Sequence, residues 1–402
     1  MSDGLFPDFT DLDEQYMREV LALAEKARGQ VSPNPMVGAI IVKGEEMIAK
    51  SFHSRYGGPH AEAIAIADAR GRAEGASLYV NLEPCVHFGR TPPCTEKIAK
   101  AKIKRVVVAT KDPDKLVNGK GIEELRRAHI QVDVGLLADE ARTLNEAYFK
   151  HRETGLPFVI LKLASTLDAK IATLEGNSQW ITGEEARTFT HKLRAESGAV
   201  MVGVGTVIAD DPQLTVRLVP GHNPLKVILD SKLRTPADAS LFKDGKSLIF
   251  TAREFLDQRT RYGEMVSLTA VETNEKGLLN LLHVLKELGR RQIIQVLVEG
   301  GGKVASELLA QGLVDKFICC INPSLLGQGI GYTESIHYAD INERLCLKDV
   351  KISWIGPDLK LEAHPCLPSP SSELSSAPSS VQPTPESSSD TKQEPSSADF
   401  SS

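Results

Sequence analysis

In the stretch GGPHAEAIAIADA, from Gly57 to Ala69, residues that interrupt regular structure are followed directly by the start of a predicted helix. The Gly-Gly-Pro triplet interrupts regular structure, and the apolar run behind it predicts a helix that begins at or near His60. His60 and Glu62 both fall in its first turn, from which their side chains can reach one pocket. On a first interpretation they only cap the helix and complement its dipole. On a second, His60 binds a metal ion and Glu62 moves protons beside it.

A second stretch, LEPCVHFGRTPPCTEKI (Leu82–Ile98), adds two cysteines. Cys85 lies in a loop rich in Pro and Gly, and Cys94 opens a predicted helix, whose N-terminus stabilises a thiolate. With His60 they offer three ligands, the number that a catalytic zinc ion takes from a protein while it keeps a position for water. Zinc lowers the pKa of that water to about 7, and Glu62 can pass its proton to a leaving group. The second interpretation of the helix start is therefore preferred.

The order His-x-Glu, Pro-Cys and a later Cys resembles the zinc-dependent deaminase signature. Deaminases of nucleic acids place two residues between the cysteines, whereas Val86 to Pro93 intervene here. Two alternatives are a closed structural zinc site with His87 as its fourth ligand, which leaves the glutamate without a role, and two unrelated buried cysteines. The predicted site consists of the zinc ligands His60, Cys85 and Cys94 and the catalytic residue Glu62.

The composition is that of a globular protein of two or three domains, with 402 residues, 41% of them hydrophobic and 25% charged. A net charge of −6 argues against a nucleic-acid partner. No apolar run approaches the roughly 20 residues of a membrane helix, and the acidic N-terminus is unlike a secretory signal. Six cysteines are too few for a disulfide scaffold, so we expect a cytoplasmic protein whose thiols are buried or bind metal.

Apolar runs and amphipathic stretches alternate along the chain, which predicts an α/β protein with largely parallel sheets covered by helices. Strands are predicted at residues 37–42, 77–82, 105–110, 157–164, 199–205, 224–230, 247–252, 293–301 and 316–321. Helices are predicted at residues 13–28, 60–70, 95–101, 121–128, 184–196, 277–288 and 303–311. The polar segment HRETGLP, residues 151–157, separates a first domain at 1–151 from a second at 157–366. The Ser- and Pro-rich residues 367–402 cannot form a core, so a disordered tail is expected.

Each half carries its own set of motifs. The first half contains SPNPMVGAIIV, GGPHAE and LEPCVHFGRTPPC, and the second contains LKLASTLDAKIA, SQWIT, VGVGTVIADDPQLTVR, VILD and VEGGG. Together, over about residues 13 to 362, they resemble the bifunctional RibD (RibG) family of riboflavin biosynthesis. The resemblance implies a cytidine-deaminase-like three-layer α/β domain, followed by an α/β domain of the dihydrofolate-reductase type.

The activity of this family sets the expected function. Its members deaminate a diaminopyrimidinone that carries phosphoribosylamine, which releases ammonia, and then reduce the ribosyl group to ribityl with NADPH. The first domain would be the zinc-dependent deaminase and the second the NADPH-dependent reductase. The expected cofactors are Zn²⁺ and NADPH, and the expected partner is a small phosphorylated pyrimidine. We also expect a homo-oligomer, with no nucleic-acid partner and no membrane partner.

The resemblance also assigns residues to the ligands. The deaminase substrate contacts that it implies are Asn34, His53 and Arg90. The implied NADPH contacts are Ala164, Trp180, Thr206, Asp210, Ser231, Gly301, Gly302, Lys303, Val304, Ala305, Ser306 and Glu307. The implied contacts to the reductase substrate are Ser178, Arg194, Leu214, Arg217 and Glu299. Some of these residues have alternative roles, since Asn34 can anchor a turn, and Arg90 and Arg194 can be solvated surface charges.

Physical chemistry supports the assignments in the second half. No GxGxxG pattern follows a strand there, which disfavours a Rossmann domain. Instead, Gly300 to Gly302 join a predicted strand to a helix, and such a turn lets a backbone approach a phosphate at the helix N-terminus. Arg194 and Arg217 suit a substrate phosphate, because a guanidinium can bind it through two hydrogen bonds. Lys162 is a candidate partner for the ribose, with a structural role as the alternative.

Two residues depart from the family pattern. Asp114 stands where the family commonly has Asn, and Ala169 stands where it usually has Gly. A carboxylate cannot donate a hydrogen bond as an amide does, so the substitution at 114 removes the donor of any substrate contact there. The substitution at 169 requires the backbone to tolerate a Cβ.

Three other functions are kept as alternatives. The first is a reductase with a weakened or inactive deaminase half, which should have lost its zinc ligands. The second is a nucleoside or tRNA deaminase with an appended domain, which should have short Cys spacing and a basic surface. The third is a non-enzymatic module stabilised by zinc, which should have a fourth protein ligand.

Overall fold

The computed structural model of the protein describes residues 9–88, 92–333 and 336–366. Its core consists of two large β-sheets, each packed against helices. The expected tail at 367–402 and the predicted substrate contact Arg90 lie outside the described residues. None of the described helices has the length and apolar character of a membrane span.

The first sheet has the strand order β2-β1-β3-β4-β5. Its strands are β1 (Gly38–Lys43), β2 (Glu46–Phe52), β3 (Ser77–Leu82), β4 (Arg105–Thr110) and β5 (Gln131–Val134). The helices of this half are α1 (Asp11–Glu25), α2 (Ala61–Asp68), α3 (Cys94–Lys100), α4 (Lys120–Arg127), α5 (Ala138–Leu144) and α6 (Glu146–Thr154). Strands β3, β4 and β5 are parallel, but β1 is antiparallel to both of its neighbours. The expectation of a largely parallel sheet is therefore wrong at this end, because the tight turn at Gly44 folds β2 back onto β1.

Alternate residues of β1, β3 and β4 enter two apolar clusters on opposite faces of this sheet. One cluster packs against α2, α3 and α4, and the other packs against α1 and α5. The half therefore has three layers, as the family resemblance implies. Helix α1 begins two residues earlier than predicted, because Thr10 Oγ1 accepts from Asp13 N at 3.1 Å while Asp13 Oδ2 accepts from Thr10 N at 3.0 Å.

The second sheet has the order β11-β10-β9-β8-β12-β6-β13-β16-β15. Its strands are β6 (Phe158–Thr166), β8 (Ala199–Gly203), β9 (Leu225–Leu229), β10 (Ser247–Thr251), β11 (Val266–Ala270), β12 (Gln295–Glu299), β13 (Lys316–Asn322), β15 (Leu347–Ile355) and β16 (Asp358–Pro365), with β7 (Lys170–Ala172) and β14 (Ile330–Gly331) in a separate two-stranded sheet. The helices are α7 (Glu184–Glu196), α8 (Val204–Asp210), α9 (Leu281–Arg290) and α10 (Gly302–Ala310). From β11 to β13 neighbouring strands are parallel, and the β15–β16 hairpin extends the sheet in antiparallel fashion.

Several parts of the second half differ from the sequence expectation. Strand β11 and the short strands β7 and β14 lie outside every predicted strand. The strand predicted at 199–205 ends at Gly203, and the chain continues directly into helix α8. The β15–β16 hairpin escaped prediction because β15 is exposed along nearly its whole length, so its sequence has no buried run.

The predicted link between the halves is mostly helical, because α6 continues to Thr154 before the chain turns at Gly155. His151 is buried, and its Nε2 lies 3.0 Å from the carbonyl oxygen of Gly289 in the second half. Leu82, the α6 aromatics and Ile294 form an apolar cluster to which both halves contribute. The division into 1–151 and 157–366 stays a prediction, and α6 packs against both sides of it.

Candidate active sites

Two helix starts and one loop bring the predicted zinc ligands together. His60 is the residue before α2, Cys94 is the first residue of α3, and Cys85 follows β3. His60 Nδ1 lies 3.4 Å from Cys85 Sγ and 3.3 Å from Cys94 Sγ. The three possible ligand atoms lie within 4.8 Å of one another. Ligands of a tetrahedral zinc ion are roughly 3.5 Å apart, so the spacing fits this metal.

The carboxylate of Glu62 completes this centre. Glu62 is only 3% exposed, and its Oε2 atom is buried without a hydrogen-bond partner. Burial raises the pKa of Glu62, and the negative charge of the Cys85 thiolate adds to the shift. A buried carboxylate with an unpartnered oxygen and a raised pKa is suited to accept and release a proton.

The thiols of the cluster already differ in charge. A hydrogen bond from the Cys94 thiol, together with His60, lowers the pKa of Cys85 to about 4. The hydrogen bond to Cys85 and burial raise the pKa of Cys94, and the negative charge of Glu62 adds to the shift. One thiolate beside an imidazole and a second thiol is a donor set that zinc prefers.

The arrangement does not support a closed structural site. His87 is exposed and does not belong to the ligand cluster, which among the described residues has three members. Three ligands leave one coordination position for water, as in catalytic zinc sites.

His53 and Asn34, the predicted substrate contacts, contact each other beside this centre. Asn34 Nδ2 donates to His53 Nε2 at 3.1 Å, which leaves His53 Nδ1–H to donate to the Pro59 carbonyl oxygen at 2.9 Å. His53 is 3% exposed, and its ring lies edge-on to His60 with the centroids 5.6 Å apart. The structure thus shows that His53 supports the backbone just before the metal ligand, while its contact to substrate stays a prediction.

Glu83 was not singled out from the sequence, although it adjoins the Pro-Cys pair. Its carboxylate accepts hydrogen bonds from the backbone N–H groups of four residues at 2.8–3.2 Å, namely Asp112, Gly119, Gly121 and Ile122. These residues belong to the loop after β4 and to the start of α4. Glu83 therefore anchors that segment, here called the β4–α4 loop (residues 111–119), next to Cys85.

The predicted reductase residues gather along one edge of the second sheet. Parallel strands β6, β8, β9 and β12 end together there, and ligands of open α/β sheets bind outside such carboxyl ends. Ala164 lies near the end of β6, Ser231 follows β9, and Glu299 ends β12. Thr206 and Asp210 lie on α8, which begins where β8 ends.

The glycine turn before α10 has the shape that a cofactor phosphate requires. Gly300 and Gly301 have φ values of +75° and +77°, and a Cβ on Gly301 would lie 3.1 Å from Thr206 Oγ1. The turn opens a nine-residue helix whose first N–H groups lack partners within the helix. A phosphate group of NADPH fits this combination of free backbone donors and absent side chains.

The predicted NADPH contacts that follow the glycine turn, from Lys303 onward on α10, differ in what their side chains can contact. Ala305 and Ser306 are fully buried, and Ser306 Oγ donates to the carbonyl oxygen of Tyr332 at 2.9 Å. Lys303 is exposed. The side chains of Ala305 and Ser306 therefore serve packing, and the cofactor surface of the segment lies at its glycine end.

Two of the predicted contacts meet across α8. Ser178 Oγ donates to Asp210 Oδ1 at 3.2 Å. Trp180 is 72% exposed, and the Arg187 guanidinium lies 4.9 Å from its ring centre. This exposed indole, two residues after Ser178, is available for stacking on a planar ligand.

The turn after β6 accepts the alanine at 169. Ala169 has a φ of +62°, in the left-handed region that favours glycine. This conformation costs a residue with a Cβ about 1 kcal/mol. Asp168 braces the turn, because its carboxylate accepts from Leu326 N at 3.1 Å and from Gly327 N at 2.7 Å. The fold therefore tolerates the departure from the family pattern.

Arg194 and Glu299 form a buried ion pair. Arg194 Nε and Nη2 donate to the two carboxylate oxygens at 2.6 and 2.7 Å, and Nη1 donates to the Thr215 carbonyl oxygen at 3.0 Å. Burial alone would raise the pKa of Glu299, but the guanidinium outweighs it and holds that pKa below its usual value. Lys162 lies beside Glu299 on the adjacent strand. Arg194 is thus engaged inside the protein, so its surface-charge alternative is excluded.

Arg217 remains more accessible than Arg194. Its Nη1 donates to Gln213 Oε1 at 2.9 Å and to the Thr215 hydroxyl, and its backbone N–H donates to His191 Nδ1 at 2.9 Å. Burial and the nearby guanidinium groups lower the pKa of His191 to about 4, so the ring accepts this bond at neutral pH. Leu214 is 3% exposed, so any contact it makes to substrate uses its main chain.

We expect the substitution Arg194→Ala to lower the free energy of unfolding by about 3–5 kcal/mol, because it leaves the Glu299 carboxylate buried and unpaired. Urea unfolding at pH 7 measures the change. Arg18→Ala is the matched control, since Arg18 pairs with Glu14 on an exposed helix face and its loss is worth about 0–1 kcal/mol. Equal losses in the two variants would contradict the structural role of the buried pair.

The comparisons with known proteins cover both halves. The model described as the RibD C-terminal domain matches residues 157–361, and the model of the cytidine and deoxycytidylate deaminase zinc-binding region matches residues 10–110. The riboflavin biosynthesis protein RibD of Aquifex aeolicus is 42% identical over 359 residues, which cover 87% of this chain and 97% of that relative. The chain belongs to the RibD family.

Solved structures of RibD proteins agree with this. RibD of Acinetobacter baumannii has 37% identity and a TM-score of 0.81, with 89% of this chain and 99% of that chain covered. The diaminohydroxyphosphoribosylaminopyrimidine deaminase/5-amino-6-(5-phosphoribosylamino)uracil reductase of Thermotoga maritima has 38% identity and a TM-score of 0.79, with coverages of 88% and 99%. This chain is a bifunctional deaminase and reductase of riboflavin biosynthesis that uses zinc and NADPH.

Proposed function

We propose that the chain deaminates 2,5-diamino-6-(5-phosphoribosylamino)pyrimidin-4(3H)-one in its N-terminal half and then reduces the ribosyl group of the product to ribityl in its C-terminal half. One observation carries the first step: a three-ligand cluster lies beside a buried carboxylate whose Oε2 has no partner. The name of the Thermotoga maritima relative supports the choice of substrates.

In the deaminase half, His60, Cys85 and Cys94 would hold the zinc ion. Zinc bound there supplies a water nucleophile at neutral pH. Glu62 accepts a proton from the nucleophile and delivers it to the departing amino group, which leaves as ammonia. Asn34 and His53, with Arg90, would orient the pyrimidine.

In the reductase half, the glycine turn and α10 would bind NADPH phosphate, with further contacts from Ala164, Trp180, Thr206, Asp210 and Ser231. NADPH bound there would supply a hydride to C1 of the ribosyl group, whose bond to the ring oxygen breaks as that oxygen takes a proton from water, which gives the open-chain ribityl group. Arg217 would bind the substrate phosphate, and the Arg194–Glu299 pair would present a fixed carboxylate edge to the sugar, with Ser178 and the Leu214 main chain nearby. Lys162 stays a candidate partner of the ribose.

Three broader proposals accompany these steps. The halves are assigned as a deaminase at 1–151 and a reductase at 157–366, with a tail at 367–402. A homo-oligomer is proposed, which the exposed apolar side chains of edge strand β15 support. The net charge of −6 supports a protein without nucleic-acid partners, and six cysteines without disulfides support a reducing compartment such as the cytoplasm.

Zinc content and both turnovers, measured on one preparation of the full chain, test the proposed function. We expect one zinc ion per chain, ammonia release from the diaminopyrimidinone, and NADPH consumption with the deaminated intermediate. Removal of zinc by a chelator should stop ammonia release and leave NADPH consumption unchanged, and added zinc should restore it. Ammonia release that persists after the metal has gone would contradict the zinc mechanism.

A further inference from the structure

Asp114, which replaces the family's asparagine, has specific partners in this chain. Its Oδ1 accepts from Leu116 N at 3.0 Å, and its Oδ2 lies 3.4 Å from Arg152 Nε on α6. The Arg152 guanidinium also lies 5.2 Å from the centre of the Tyr148 ring. The carboxylate at 114 is therefore paired with a cation from another element.

Two further carboxylates lie near Asp114. Asp112 Oδ1 accepts from Asp114 N at 2.8 Å, and the Asp112 carboxylate also accepts from the Tyr148 hydroxyl at 3.0 Å. Glu83 binds the same loop through Asp112 N at 3.2 Å. Three carboxylates thus lie in or against the β4–α4 loop, and Arg152 offsets the charge of one of them.

The β4–α4 loop is hydrogen-bonded to the segment that carries the predicted zinc ligand Cys85. Strands β3 and β4 are parallel neighbours with Leu82 opposite Thr110, so the segments after them emerge at the same edge of the sheet. The first of these segments carries Cys85, and Glu83 joins the second to it through backbone hydrogen bonds. A shift of the β4–α4 loop therefore acts on Glu83, two residues from the predicted ligand Cys85.

The opposite side of α6 is fixed to the reductase half. Lys150 pairs with Asp315, and Lys316 Nζ lies 2.8 Å from Glu146 Oε1. These contacts hold the helix in place, so Arg152 extends from a firm support toward the loop.

We propose that Arg152 is a positioning residue for deamination, which holds the β4–α4 loop against the zinc site through its ion pair with Asp114. The pair also explains how this chain accommodates a carboxylate where the family has an amide. The loop also carries Lys111 and Lys115, but among the described residues the ion pair of Asp114 is with Arg152. Without Arg152 the carboxylate at 114 would face Asp112 and Glu83 without an ion-pair partner, and like-charge repulsion would push the loop outward. The inference rests on the proposed assignment of the zinc centre.

The test compares deamination kinetics in single and double variants of the full chain. Arg152→Gln should lower kcat/KM for ammonia release about tenfold, mainly through a higher KM, because a displaced loop binds substrate less well. Arg152→Lys, which keeps the charge, should retain most of the activity. Asp114→Asn in the Arg152→Gln background should restore kcat/KM to within about threefold of the starting protein, because it removes the uncompensated charge.

Internal controls separate positioning from loss of structure. Zinc content and NADPH-dependent reduction should stay unchanged in all these variants. Arg142→Gln is the matched control, because Arg142 also stacks on an α6 aromatic, at 4.3 Å from the Phe149 ring, and pairs with Glu153, but does not touch the loop. It should leave both activities unchanged.

Three outcomes would overturn the inference. They are normal deamination by Arg152→Gln, an equal loss of the reductase activity, and no rescue by Asp114→Asn. If the starting protein released no ammonia at all, the proposed deaminase function would fail and this inference with it. If the starting protein is active and Arg152→Gln matches it, only the inference fails.

Discussion

Replacing Glu62 by Gln should lower the rate of ammonia release about 10²–10⁴-fold while the zinc content stays at one ion per chain. Glutamine keeps the size of the side chain, so α2 and the ligand His60 should stay in place. An amide cannot accept and pass on a proton, and Glu62 Oε2 is the buried carboxylate oxygen beside the ligand cluster that lacks a partner. Steady-state ammonia release and metal analysis of the same sample measure both parts of the expectation.

The control for this substitution is Glu96→Gln. Glu96 also lies in the first turn of a helix next to the centre, but its side chain is 39% exposed and pairs with Lys100. Its replacement should leave ammonia release unchanged. Near-normal turnover by a zinc-loaded Glu62→Gln protein would refute the role of Glu62 as proton shuttle.

The second large effect is that a substitution in either half should impair the activity of that half alone. His60→Ala removes one of three zinc ligands, so zinc and ammonia release should both be lost, while the supplied deaminated intermediate is still reduced. Arg217→Ala should do the reverse, because it removes a charge-assisted contact to substrate phosphate. The KM for the reductase substrate should rise about 10–100-fold, with deamination unchanged.

Two assays read this experiment: ammonia release from the diaminopyrimidinone, and NADPH consumption with the intermediate. Thermal unfolding of each variant checks that the chain remains folded. Loss of both activities in a folded variant would show that the two reactions share one site, contrary to the two-site assignment.

Local sequence is enough to indicate where each predicted residue of the deaminase centre lies in its own element, while the roles of these residues stay predictions. His60 and Glu62 follow a chain break, and Cys94 opens a helix, so the position of each is determined within a few residues of the chain. The buried strands of both sheets are predicted for a similar reason, since continuous apolar runs mark them. Strands β2, β5 and β11 and the β15–β16 hairpin are among those missed. Strand β15 is exposed along nearly its whole length, and in β2, β5 and β11 buried residues are mixed with exposed or half-buried ones, so none of these strands carries a continuous buried run.

Contacts between distant segments could not be predicted from one sequence. The pairing of Arg194 with Glu299 spans 105 residues, and nothing near Arg194 indicates a buried partner. The four backbone hydrogen bonds to Glu83 and the ion pair between Asp114 and Arg152 likewise depend on the folded topology. Such contacts determine which of the predicted site residues already have partners inside the protein.

The packing of α6 limits how RibD genes can recombine. A chimera that takes its deaminase half from one parent and its reductase half from another, with the crossover in HRETGLP, inherits α6 with the first half. The helix must then find Asp315, Lys316 and the Gly289 carbonyl in the second. Parents that differ at these positions should yield chimeras in which both active sites are intact but the contacts between α6 and the second half are mismatched. These contacts, more than either catalytic centre, would then determine which chimeras fold and stay active.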